Sequence, residues 1–407
     1  MEVNQTRLMA ELERLSSFSE VPAPAVTRVV FTPTDLQART YLKSLCEGFT
    51  IREDAVGNTF IRWVGAEPDL PAVGTGSHID AIPNAGRYDG TVGVLGGLEA
   101  MRALREGGFK PRRSIELVLF TSEEPTRFGI GCLGSRFLAG SLNASDGDRL
   151  KDANQATLNQ VRVAAGFAGP LEDVPLKPGY YHAFAELHIE QGPLLEMRGV
   201  PLGVVTAIAA PASLRITIEG EGGHAGAVLM PGRHDAFLGA AEISLALEAA
   251  AKSSGAIDTV ATTGICNVFP GAVNSIPSRV ELSVDARDID IERRDGMLNS
   301  LAAACDQVAA ARGLRITREV LNADAPAVCS PMVIEALERA CGLQKFDRMV
   351  SRAYHDSLFI SRVAPTAMLF IPCRAGVSHR PDEYSSPEDI TRGVEVLAKA
   401  LSYLAEA

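Results

Sequence analysis

The chain has 407 residues, 46% hydrophobic and 22% charged, with a formal net charge of −11. Its length exceeds what one hydrophobic core usually organises, so two or three domains are expected. The acidic balance and the lack of a Lys/Arg-rich block argue against a nucleic-acid groove or an anionic membrane surface.

The seven cysteines (Cys46, Cys132, Cys266, Cys305, Cys329, Cys341, Cys373) are scattered and form no C-x-x-C pair, the pattern of reduced thiols. The opening MEVNQTRLMAELERL alternates charged and apolar residues at helical spacing and lacks the apolar stretch of a secretory signal. No segment approaches the roughly 18 apolar residues of a membrane span. A cytoplasmic globular protein is therefore expected.

From about residue 56 to 140 strand-like and helix-like signals alternate. The apolar run Leu70–His78 leads into a Gly-rich turn and a helix-like segment, Gly90 to Arg105. The β-rich run Ser114–Phe120 ends directly in Thr121-Ser122-Glu123-Glu124. That order predicts an α/β sheet with polar residues presented at the carboxyl ends of its strands, where sites form. Residues 141–180 are polar and carry no clear chemistry, and a further strand, Ala183–His188, comes after them.

Beyond Ala209-Ala-Pro211 the pattern changes. Leu214–Ile218 and Val280–Asp285 alternate with period two, and Asp235 to Lys252 and Asn299 to Arg312 read as helices. This predicts an inserted, smaller α+β domain at 212–325. A catalytic domain is expected in two parts, 1–211 and 326–407, the second containing a strand at Val363–Ile371 and a helix at Gly393–Ala405.

The chemistry sits at the predicted strand ends. In Gly76-Ser-His78-Ile-Asp80, an extended backbone puts His78 and Asp80 on one face, so the carboxylate can accept the second imidazole N–H of a metal-bound histidine. Such a pair is also an ordinary loop feature. Asp89 lies between glycines before the Gly90–Arg105 helix, and either presents a ligand or caps that helix. The adjacent carboxylates Glu123 and Glu124 repel each other, which makes sense if a cation neutralises one while the other works as a base. The alternative is an exposed acidic turn. His188 ends another strand, and His379 lies in Ser378-His-Arg-Pro-Asp-Glu-Tyr384. Together these residues supply two sets of imidazole and carboxylate ligands with Asp89 shared. Mixed nitrogen and oxygen ligation suits Mn²⁺, Zn²⁺ or Co²⁺, not a Ca²⁺ cage or a thiolate site.

The ordered set H-x-D, D-G, E-E, L-H-I-E-Q-G-P and S-H-x-P-x-E-Y resembles the amidase/hydantoinase–carbamoylase branch of the di-metal aminoacylase and carboxypeptidase-like hydrolases, from about residue 50 to the C-terminus. Phe120–Gly129, Thr206–Ser213, Gly222–Pro231 and Ser351–Phe359 look similar to the ureidoglycolate amidohydrolase group. Allantoate amidohydrolases and N-carbamoyl-L-amino-acid hydrolases usually carry a Gly-rich segment where Ser351–Asp356 stands.

The resemblance implies two divalent ions, Mn²⁺ foremost, one held by His78, Asp89 and His188 and the other by Asp89, Glu124 and His379. It implies Glu123 as general base, with Asp80 orienting His78. It further implies a mainly parallel-sheet catalytic domain and a smaller domain that dimerises edge to edge. His224, Asn274 and Arg287 match substrate-binding residues, with His224 polarising a carbonyl and Arg287 gripping a carboxylate. Arg287 could instead simply pair with Asp285 or Asp288. Gln191, Tyr354 and His355 are expected to line the pocket. The implied substrate is a small ureido acid, ureidoglycolate of allantoin and purine catabolism in the first place, with allantoate or an N-carbamoyl amino acid as alternatives.

Overall fold

The computed structural model describes residues 2–407. The chain divides into two compact units, one comprising residues up to Thr206 with Val328–Ser351 and His355–Ala407, the other Ala207–Ala327 with Arg352–Tyr354. Tyr354 and His355, adjacent in sequence, thus belong to different units.

The first unit is built on a mixed sheet in the order Gly203–Ile208, Thr366–Ile371, Tyr181–Ile189, Ala72–His78, Ile115–Phe120, Thr59–Trp63, Thr50–Glu53. The four strands from Thr366–Ile371 to Ile115–Phe120 are parallel, and those flanking them are antiparallel. Ala72–His78, Ile115–Phe120 and Thr366–Ile371 are buried along their whole length, as expected of parallel strands covered on both faces. Their register aligns His78 with Phe120 and His188 with Phe370. The strands therefore end together, and the chemistry-bearing residues at their ends meet at one edge.

Two helices pack together in this unit. Thr91–Glu106 is buried over nearly all its length. Pro387–Glu406 starts at Ser386, whose hydroxyl accepts the Asp389 N–H, with proline at its first position, and buries Ile390, Val394, Leu397, Leu401 and Leu404 as one stripe.

The second unit is a four-stranded antiparallel sheet, ordered Val260–Phe269, Arg279–Asp288, Ala210–Glu219, Arg315–Ala323. Burial alternates strictly along Arg279–Asp288, so one face packs and the other is open. Helices Ala236–Ser253 and Ile291–Arg312 supply Ala240, Ile243, Leu247, Leu301 and Cys305 to the core against Ile216, Ile218, Leu282 and Val284. The strands Val260–Phe269 and Arg315–Ala323 lack a clean alternation in sequence, because they form the sheet edges and are largely exposed. Among the described residues no helix is long and apolar enough to cross a membrane.

Candidate metal centre

At the carboxyl edge of the first unit's sheet, His78, Asp89 and His188 bring one ligand atom each within 4.8 Å of one another, and Asp89, Glu124 and His379 do the same. Asp89 belongs to both groups. Its Oδ1 lies 3.2 Å from His188 Nε2 and 3.6 Å from His78 Nε2. Its Oδ2 lies 3.1 Å from His379 Nε2, which is itself 3.3 Å from Glu124 Oε1. One carboxylate thus faces two ligand sets with its two oxygens.

The alternative readings of these residues are decided by position. His78, Asp80, Glu123 and Glu124 are all buried, which excludes a solvated loop pair and an exposed acidic turn. The helix Thr91–Glu106 is capped by Gly90 without a side-chain hydrogen bond, so the Asp89 carboxylate is left for the cluster. Gly90 has φ 67°, and a Cβ there would stand 2.4 Å from His78 Nε2, so only glycine lets the chain turn this close to the imidazole.

Both histidines of the first set are oriented through Nδ1. His78 Nδ1 is 3.0 Å from the Asp80 carbonyl, and His188 Nδ1 is 2.9 Å from the Ile189 carbonyl. Each Nδ1 donates to its carbonyl, so Nε2 is the nitrogen that faces the cluster.

The Asp80 carboxylate does not take the His78 N–H, as the H-x-D spacing suggested, and stands 3.7 Å from it. It accepts the backbone N–H groups of Glu123 (3.2 Å) and Glu124 (3.1 Å). The chain turns after His78, so the backbone carbonyl of residue 80 returns to the imidazole and its side chain reaches the next strand end. Asp80 holds the turn that carries both glutamates. Ser122, which starts that turn, has φ 56°, a left-handed conformation that costs a non-glycine residue energy and points to a turn shaped for presentation.

Electrostatics mark the cluster as short of positive charge. Burial, reinforced by Glu124, Asp356 and Asp89, raises the Glu123 carboxyl well above its ordinary value despite His78 nearby. Burial and Asp89 push Glu124 up to about 7. The hydrogen bond to Asp89 raises His379 to about 9. Burial would lower His78, but Glu123 and Asp89 carry it well above 6.5. Asp89 and Glu124, with the three imidazoles facing them through Nε2, form a mixed nitrogen–oxygen donor set, and buried Asp80 and Glu123 add negative charge beside it. Two divalent cations suit that set in charge and ligand type.

Glu186, His188 and His355 also bring one ligand atom each within 4.8 Å of one another. Their donors are committed elsewhere. Glu186 accepts Ser77 Oγ at 2.8 Å and the Ser357 N–H at 3.2 Å, while His188 uses Nδ1 on a carbonyl and Nε2 on Asp89. His355 stacks edge-on against the His188 ring at 4.4 Å and places Nε2 3.1 Å from Ser351 Oγ.

Gln191, expected in the pocket, lies beside the cluster and donates from Nε2 to Asp89 Oδ2 at 2.9 Å; its Oε1 is buried without a hydrogen-bond partner. The remaining expected residues belong to the second unit. His224 and Asn274 sit at the ribbon of Gly223–His224 with Ser275–Ile276, the Ala225 N–H donating to the Asn274 carbonyl at 2.9 Å. Both are exposed. Arg287 pairs with Asp285 (2.7 and 3.2 Å), as the alternative allowed, donates to the Arg352 carbonyl and lies 5.6 Å from the Tyr354 ring centroid. Residue types and spacing assigned no role to Ser378 or Glu383, although both stand in the S-H-x-P-x-E-Y motif; Glu383 is buried and hydrogen-bonded to the backbone of Asp89.

This fold, with its imidazole–carboxylate cluster at the sheet edge, defines a hydrolase of amide C–N bonds. Residues 74–403 match peptidase family M20/M25/M40, and the chain belongs to that family. It is 51% identical to the ureidoglycolate hydrolase of Arabidopsis thaliana over 99% of this chain and 87% of that protein. It is 38% identical to the N-carbamoyl-L-amino acid amidohydrolase of Geobacillus stearothermophilus over 98% of each. The crystal structure of AtUAH in complex with glyoxylate superposes with a TM-score of 0.92 at 51% identity, covering 100% of this chain and 98% of that one.

Proposed function

We propose that the protein hydrolyses the ureido group of ureidoglycolate, releasing glyoxylate, ammonia and carbon dioxide, in the breakdown of allantoin and purines. The observation that carries the reaction type is Asp89, one carboxylate shared between two imidazole–carboxylate sets with Glu123 alongside. The choice of substrate rests on the relatives that share half of the sequence over nearly the whole chain.

His78, Asp89 and His188 would hold one divalent ion, and Asp89, Glu124 and His379 the other, with Mn²⁺ the expected metal. Bound there, the ions supply polarisation of the ureido carbonyl and a lowered pKa for the attacking water. Glu123 removes the proton of that water and returns it to the departing nitrogen. Ammonia leaves, the carbamate loses carbon dioxide, and the resulting hydroxyglycine collapses to glyoxylate and a second ammonia. On the second unit, Arg287, now paired with Asp285, would exchange that partner for a substrate carboxylate, with Tyr354 against its guanidinium, Asn274 would supply an amide donor and His224 would polarise a carbonyl. On the first unit, Gln191 and His355 would support the surroundings of Asp89 and His188.

The protein acts as a homodimer of inserted units in the cytoplasm. Supporting this, the edge strand Val260–Phe269 exposes Val260 and Ile265, and the neighbouring helix exposes Leu238 and Leu245, an apolar edge that a second copy would cover. Ile265→Lys should shift the mass in solution toward the monomer by light scattering.

The deciding experiment offers the Mn²⁺-loaded protein ureidoglycolate, allantoate, N-carbamoyl amino acids and dipeptides, with ammonia and glyoxylate monitored. Preferential turnover of ureidoglycolate is expected. A preference for allantoate, a carbamoyl amino acid or a peptide would overturn the substrate assignment.

A further inference from the structure

Asp89 and His379 come from distant parts of the chain, yet Asp89 Oδ2 and His379 Nε2 meet at 3.1 Å. Neither loop is part of the sheet, so something must hold the spacing. Glu383, in the same loop as His379, is 4% exposed. Its Oε1 accepts the backbone N–H groups of Tyr88 (2.8 Å) and Asp89 (3.1 Å), and its Oε2 accepts Ser378 Oγ at 2.7 Å. Ser378 Oγ is also 3.2 Å from Asp89 Oδ2, and Gln191 Nε2 closes the ring at 2.9 Å from Asp89 Oδ2 and 3.3 Å from Ser378 Oγ. Gly86 leaves room for this arrangement, because a Cβ there would stand 2.3 Å from the Glu383 Cβ and 2.4 Å from its Oε1.

Hydrogen-bond arithmetic makes the residue type specific. Glu383 meets two N–H donors on one side and a hydroxyl on the other, and only a carboxylate accepts on both sides. The Ser378 hydroxyl has one proton and two carboxylates within reach. While Glu383 takes it at the shorter distance, Asp89 Oδ2 receives only the Gln191 N–H and keeps its other lone pair available to a cation. Without that acceptor, the proton turns to Asp89 and competes with the ion.

We propose that Glu383 is a positioning residue for the second metal: it anchors the Asp89 loop to the His379 loop and draws the Ser378 proton away from Asp89. The inference rests on reading the cluster as a metal centre. It puts the affinity of the ion held by Asp89, Glu124 and His379 under the control of a residue that touches no ion.

The test is a calorimetric Mn²⁺ titration of the metal-free protein and its variants, with melting of the metal-free forms as the folding control. Glu383→Gln should weaken the second ion by about ten- to a hundredfold, the usual range for losing a group that orients a ligand. Ser378→Ala alone should change little, whereas Ser378→Ala added to Glu383→Gln should recover part of the loss by removing the competing proton. A purely structural role predicts additive effects instead. Unchanged second-ion affinity in Glu383→Gln, or additive losses in the double variant, would overturn the proposal. Should Glu383→Gln not fold, Gly86→Ala displaces the same carboxylate from outside and should weaken the same ion; unchanged affinity there would also overturn it. Failure of the unaltered protein to bind two ions would refute the metal centre itself, and shows before any variant is measured.

Discussion

Asp80→Asn tests how the catalytic turn is held. The Asp80 carboxylate, 1% exposed, accepts the Glu123 and Glu124 N–H groups through separate oxygens at 3.2 and 3.1 Å. Hydrogen bonds to a charged acceptor contribute about 1.5–3 kcal/mol each. Removing both with alanine would therefore cost roughly 3–6 kcal/mol, a large part of the about 5–15 kcal/mol that holds a typical domain folded. Asparagine keeps the shape and one acceptor but turns an NH₂ toward the other N–H. One buried donor is then left unpaired, at a cost of about 1–3 kcal/mol. Part of that will be relieved by the turn moving, and a displacement of about 1 Å can cost a hundredfold in rate. We expect a lower urea midpoint for the metal-loaded protein and a fall in kcat of at least about tenfold. The measurements are equilibrium unfolding and steady-state ureide hydrolysis, with metal content determined in parallel. A variant with the native midpoint and native kcat would show that Asp80 does not hold the turn.

Glu123→Gln should retain both ions by metal analysis while kcat falls by about 10²–10⁴, and full activity would exclude Glu123 as base. His379 is raised to about 9 in the metal-free protein by its hydrogen bond to Asp89. Its raised pKa means that its stabilising charge is fully present below the ordinary 6.5 and is lost as pH rises through about 9. A metal must displace that proton, so apparent affinity should climb with pH until about 9 and then flatten, with proton release visible as a buffer-dependent heat. Arg287→Lys keeps the charge but loses the planar fork; KM for ureidoglycolate should rise about tenfold or more, with a smaller change in kcat.

The strands and helices nearest the chemistry were legible because local patterns coincide with tertiary demands. The runs leading to His78, Phe120 and His188 are buried as parallel strands are, and polar residues cluster at and after their carboxyl ends: His78 and Asp80, Thr121 to Glu124, and His188. His78, Asp89, Glu124, His188 and His379, singled out as candidate ligands at predicted strand ends and by family resemblance, are brought into two clusters that could hold metal ions. Edge strands such as Arg315–Ala323 were not legible, since solvent on several sides leaves no burial period to read.

The sequence by itself therefore determined the α/β architecture, the presence of a second α+β unit and the candidate residues that the fold gathers at one sheet edge. Only the tertiary structure decided how those residues are held. It gave the His78 N–H to a backbone carbonyl and turned the Asp80 carboxylate to two amides at a neighbouring strand end. It also brought Glu383 beneath a loop from the opposite end of the chain. These are contacts between segments far apart in sequence, chosen by hydrogen-bond geometry in a buried space. Residue types and spacing record which groups are available, but not which of two nearby donors a carboxylate will face.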